Sequence, residues 1–150
     1  VSDLAGPSRD RKGAEQARVR GIDHVAIAVR SLDEKIAIFR ATLGIEPHSI
    51  ESLPEHGVRV ALFVLGDDRI ELLEPLGDAS PIAKFLEKRG EGVHHISLAV
   101  RGVDEMLGRL GATGVPLIDA ASRPGADGKR VAFLHPKGTG GILFELSEEP

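Results

Sequence analysis

The chain has 150 residues, no cysteine, and a net charge of −4 from 19 basic and 23 acidic side chains. That length suits one domain with its own core, and the missing cysteines exclude a disulfide framework and a thiolate metal site. With no basic surplus, five aromatics that are all Phe and no apolar run near the roughly 20 residues of a membrane span, neither nucleic acid nor membrane is an expected partner.

Residues 1–19 are polar and aperiodic, and read as a solvated tail with no apolar secretory segment. A cytoplasmic location follows as the default expectation. Residues 22–29 (IDHVAIAV) are rich in β-branched residues and predict a strand. Ser31 with Glu34 has capping-box spacing, and Leu32, Ile36, Phe39 and Leu43 recur at helical period before Gly44. Strands are predicted at 45–52, 58–65 and 69–74, with Pro75 as the stop. Ser80-Pro81 then opens a helix over 82–89 that ends at Gly90.

The second half repeats the first. Residues 95–105 (HISLAVRGVDE) lie over 24–34 (HVAIAVRSLDE) at a constant offset of 71. Six of the eleven positions are identical. A helix over 103–110 follows, then strands at 115–119, 129–134 and 141–146. The expected fold is α+β: two βαβββ modules, 20–76 and 93–150, joined by a linker helix in 77–92. Their sheets would merge into one curved, mixed, mostly antiparallel surface around a metal-containing cleft.

The repeat also superposes ionisable residues. His24 and His95 occupy equivalent points on the first strand of each half, and Glu71 and Glu145 similar points on the last. Each sits between apolar neighbours, so each belongs to a strand interior, where a carboxylate facing a cleft needs a partner or an ion. One strand histidine is usually structural, but four donors related by the repeat point to a shared divalent metal. The sulfur-free N/O set suits Co²⁺, Mn²⁺, Ni²⁺, Zn²⁺ or Fe²⁺. Strand alternation directs His94 to the face opposite His95. His48 and His56 fall in loop-like or edge settings, and Asp33 and Asp104 at helix starts, where the helix dipole accounts for them.

These half-motifs resemble the vicinal oxygen chelate superfamily, which includes glyoxalases and extradiol dioxygenases. Longer strings resemble the methylmalonyl-CoA epimerase family within it: PEHGV (54–58), IELLEPL (70–76), SPIAKFL (80–86), GEGVHHI (90–96), GKR (128–130), FLHPK (133–137) and GGILFEL (140–146). The resemblance covers about residues 20–148. It implies metal ligation by His24, His95 and Glu145, with Glu71 at the remaining position, and Co²⁺ as the leading ion. It also implies methylmalonyl-CoA as substrate and a homodimer. Some of these epimerases carry Gln where this chain has Glu71, and Glu, a proposed base, where it has Val60. Val60 cannot take a proton.

The expected reaction is interconversion of (2R)- and (2S)-methylmalonyl-CoA through an enolate, with Glu145 and Glu71 as the acid–base pair. Lys129, Arg130 and Lys137 are candidate contacts for coenzyme A phosphates or the substrate carboxylate. A glyoxalase-I-like metal isomerase and a non-catalytic binding module of the same fold are the alternatives.

Overall fold

The computed structural model describes residues 16–150; most of the expected tail lies outside the described residues. Strand β1 runs Arg18–Ala28, ahead of the expected domain start, and Ala17 is already buried. Helix α1 (Leu32–Leu43) follows, then β2 (Ser49–Leu53), β3 (Val58–Leu65) and β4 (Asp68–Pro75). Helix α2 (Pro81–Arg89) leads to the second half: β5 (Gly92–Arg101), α3 (Val103–Ala112), β6 (Arg123–Pro124), β7 (Arg130–Phe133) and β8 (Phe144–Glu148).

Local chemistry explains the helix ends. The Ser31 hydroxyl accepts from the Glu34 amide at 3.2 Å, and Gly44 closes α1 in the left-handed conformation at φ 66°. Ser80 caps α2 by accepting from the Ile82 amide, with Pro81 in the first turn. Helix α3 has no side-chain N-cap; it begins at Gly102 with φ 74°. A Cβ there would meet the Ala17 Cβ at 2.8 Å. Gly102→Ala therefore combines left-handed strain with a clash, and should cost about 1–2 kcal/mol or more. A fall in urea midpoint at unchanged slope would report it.

All eight strands form one sheet in the order β2-β3-β4-β1-β5-β8-β7-β6. The order is twofold symmetric about the antiparallel β1–β5 pair. On either side the pairing is parallel (β1 with β4, β5 with β8), and it is antiparallel outward from there. Strand alternation separates two faces. On β3, Ala61 and Phe63 pack beneath α1 with Leu72 of β4, while Val58, Val60 and Leu62 line the cleft. Helix α3 covers the second half through Val103, Met106 and Leu107 against Ala132 and Leu146. Helix α2 instead closes one end of the cleft, with Ile82 and Leu86 packed on Ala26, Val58 and Leu73.

The last strand of each half also anchors its own helix. Glu74 Oε2 accepts from the Leu32 amide at 2.7 Å. Glu148 accepts from the Gly102 and Val103 amides at 2.7 and 2.9 Å. These carboxylates satisfy donors that a helix start leaves open.

The expected strand at 115–119 does not form. It is reduced to a single bridge, Leu117 with Leu134, plus amide donation from Ile118 and Asp119 to the Phe133 carbonyl. Pro116 lacks an amide proton, which weakens any ladder there. The outermost strand is instead the two-residue β6.

Candidate active site

The sheet register fixes the four candidate residues. Ala26 of β1 pairs with Glu71 of β4, and the equivalent Ser97 of β5 pairs with Glu145 of β8. Across the centre, His24 pairs with Ser97 and Ala26 with His95. The two glutamates thus flank the central strand pair from opposite sides, and the two histidines stand between them.

The four side chains converge. His24 Nε2 lies 3.0 Å from Glu71 Oε2 and 3.8 Å from Glu145 Oε1. The His24 and His95 rings meet edge-on with centroids 5.5 Å apart. Donor atoms of His24, His95 and Glu145 all lie within 4.8 Å of one another. Two imidazole nitrogens and one carboxylate oxygen at this spacing fit a divalent ion, and Glu71 stands beside them through His24. The His95 ring is packed against Phe133 at 5.2 Å, which restricts its orientation.

Electrostatics distinguish the members. Burial pushes His24 down, but the carboxylates of Asp23, Glu71 and Glu145 outweigh it and hold its pKa at about 9. Burial pushes His95 down to about 3, reinforced by His94 and His24, so His95 is a neutral imidazole ready to ligate. Burial raises Glu145, opposed by the nearby Ser97 hydroxyl and by His24, and reinforced by Glu71 and Asp23. Ser97 itself is fully buried and its Oγ completes no hydrogen bond.

The raised His24 pKa stabilises the metal-free fold below about pH 6.5, and that contribution is lost as pH rises through about 9. Ion uptake has the opposite trend, because coordination needs the neutral ring. Calorimetry in buffers of differing ionisation enthalpy should find about one proton released per ion at pH 7.5, and none above about pH 10.

The cleft encloses about 390 Å³. Its first-half wall is apolar, with Leu53, Val58, Val60, Leu62 and Leu73. Of the three expected cationic contacts, only Lys129 lines it, and its Nζ pairs with Asp23 at 3.0 Å and Glu149 at 3.4 Å. Arg130 turns to Ser122, with Nε 3.0 Å from Oγ, and Lys137 sits on a turn outside the cleft. Asp33 and Asp104 lie in the first turns of α1 and α3, as expected; Asp33 also faces Arg59 at 3.4 Å, and Asp104 accepts from the Ser122 amide and hydroxyl.

Several ionisable residues that line the cleft escape the sequence pattern, His56, Arg69, Arg123, Asp23 and His94 among them. Arg69 sits two positions before Glu71, so alternation alone could have placed it on the same face. Arg123 lies over the Phe133 ring, 5.7 Å from its centroid, with no sequence signal to announce it. Asp23 and His94 also line the cleft, although alternation assigns them to the other face.

Residues 23–133 match the family described as the glyoxalase/bleomycin resistance protein/dioxygenase superfamily. The chain is 43% identical over 129 residues to an ethylmalonyl-CoA/methylmalonyl-CoA epimerase of Cereibacter sphaeroides, covering 85% of this chain and 96% of that one. It superposes on a methylmalonyl-CoA epimerase of Mycobacterium tuberculosis with a TM-score of 0.80 at 40% identity, over 88% and 89% of the two chains. A variant of the Streptomyces coelicolor methylmalonyl-CoA epimerase, solved with 2-nitronate-propionyl-CoA, gives a TM-score of 0.79 at 37% identity, over 88% and 96%.

Proposed function

Since this chain belongs to the glyoxalase/bleomycin resistance protein/dioxygenase superfamily, we propose that it is the epimerase its relatives name, interconverting (2R)- and (2S)-methylmalonyl-CoA. The observation that carries this reading is the placement of Glu71 and Glu145 at equivalent registers on either flank of β1 and β5. Inversion at a carbon requires one group to remove a proton from one face and another to supply one from the opposite face. Two carboxylates on opposite flanks of one cleft meet that requirement.

The C2 proton lies between a carboxylate and a thioester carbonyl, so its loss leaves charge that both groups can share. His24, His95 and Glu145, with Glu71 alongside, would hold a divalent ion, which when bound would supply Lewis-acid stabilisation of that charge. Co²⁺ is the ion we propose first. A carboxylate held on a cation is a weaker base, so one of the two glutamates binds the ion loosely or swings free of it during turnover. Glu71, at 26% side-chain exposure, is the more open carboxylate, and this reading assigns it to the opposite face. Where a relative carries a glutamate at the position of Val60, this chain presents a methyl-lined wall, so the acid–base work falls to the pair on β4 and β8. The apolar wall of β3 and β4 suits the 2-methyl group, and Lys129, with Arg69 and Arg123 nearby, suits the anionic end of the substrate. A cytoplasmic homodimer is the proposed working form, and light scattering checks its mass.

The test follows C2 by proton NMR in D₂O with methylmalonyl-CoA and protein loaded with Co²⁺. Deuterium should enter C2 as the two epimers equilibrate. Lactoylglutathione formation from a glutathione hemithioacetal, with C2 unexchanged, would overturn the proposal in favour of a glyoxalase-like isomerase.

A further inference from the structure

The β1–β5 ladder is interrupted on each side of the histidines. Ile22 pairs with Leu98 and His24 with Ser97, so Asp23 has no partner of its own. Ala26 pairs with His95 and Ile27 with Val93, so His94 has none. Each is an inserted bulge residue immediately before a candidate ligand, and the two are equivalent under the offset of 71. A bulge breaks strand alternation and re-aims a side chain. That is why two consecutive residues face the cleft at both places.

Both re-aimed side chains reach the same atom of the following ring. Asp23 Oδ1 lies 2.8 Å from His24 Nδ1. His94 Nδ1 lies 2.9 Å from His95 Nδ1. Asp23 is itself held by Lys129 Nζ, 3.0 Å from Oδ2, across 106 residues of sequence. His94 is held by the Phe85 ring of α2, which meets it edge-on at 5.0 Å. In each case Nδ1 is engaged, leaving Nε2 as the free donor; for His24, Nε2 is the atom facing Glu71 and Glu145.

We infer that the paired bulge residues Asp23 and His94 are positioning residues, which lock the two ligand imidazoles through Nδ1 so that both present Nε2 to one divalent ion. The inference rests on the metal reading above. It adds that the two halves use different chemistry for equivalent tasks: a carboxylate clamped by Lys129 behind His24, and an imidazole packed on Phe85 behind His95. A charged acceptor makes the ring it holds the stronger donor, so Asp23 has the larger expected effect. The bulges are then functional insertions rather than irregularities of the sheet.

The test measures Co²⁺ and Zn²⁺ affinity by competition with a chromophoric chelator, alongside the melting temperature of the metal-free protein. Asp23→Ala should weaken binding about 10–100-fold, and His94→Phe, which keeps the packing on Phe85, about tenfold. Asp23→Asn and His94→Asn each retain an acceptor near the original position and should recover to within a few-fold of wild type. A residue that merely fills space would show no such rescue. Equal affinity in wild type, Asp23→Ala and His94→Phe, with all three folded by circular dichroism, would overturn the inference while leaving the metal site standing. Absence of ion binding by the wild-type protein would overturn the metal reading and this inference with it. A measurement needing no variant guards against misfolding. Long-range ¹H–¹⁵N correlation of the Zn²⁺-loaded wild-type protein should show both rings coordinated through Nε2, and coordination through Nδ1 of either would refute the assignment.

Discussion

Glu145→Gln is expected to lower the rate of C2 deuterium exchange by about 10²–10⁴-fold, the usual contribution of a positioned acid–base group. The reason is specific to this position. The amide that replaces the carboxylate has no basic lone pair to receive a proton and is a poorer ligand for a divalent ion. The substitution is nearly isosteric, so the packing around the site is retained. The fold should therefore survive, with a melting temperature close to wild type. Exchange at the wild-type rate in this variant would remove Glu145 from the mechanism.

Chelation should have a comparable effect on turnover and a different one on structure. Protein stripped of its ion is expected to lose at least about 10³-fold in exchange rate, because the developing charge then lacks its main stabilising partner. It should not unfold. With the ion removed, His24 takes up a proton and pairs with Glu71 at 3.0 Å, so the buried charges remain matched. The melting temperature should still fall, since an ion at about 1,000 times its dissociation constant stabilises by about 4 kcal/mol. Readdition of Co²⁺ should restore both quantities. Exchange that persists undiminished in chelator would remove the ion from the reaction.

The parts of this architecture that sequence exposes are those written in local chemistry. Ser31 and Gly44 bound α1, Ser80-Pro81 and Gly90 bound α2, and the 11-residue repeat anticipates the twofold order of the sheet. The repeat also brings His24, His95, Glu71 and Glu145 into consideration together, which no single residue could do. What stays hidden depends on the ladder rather than on the strand. Asp23 and His94 look outward-facing because alternation presumes an uninterrupted pairing, and only the partner strand reveals the inserted residue. The β6 strand, Arg123–Pro124, is too short for any period to show, and the more apolar segment at 115–119 draws the assignment instead. His48 donates its amide to the Leu62 carbonyl but enters no regular strand, so β2 begins later than the β-branched pattern suggests.

The glutamates that cap the helices bear on how the protein responds to its surroundings. Glu145 and Glu148 are three residues apart on one short strand, one facing the cleft and the other gripping the first turn of α3; Glu71 and Glu74 repeat the arrangement with α1. If Glu71 and Glu145 carry the proton as proposed, a displacement of either helix would reach them along a single extended segment.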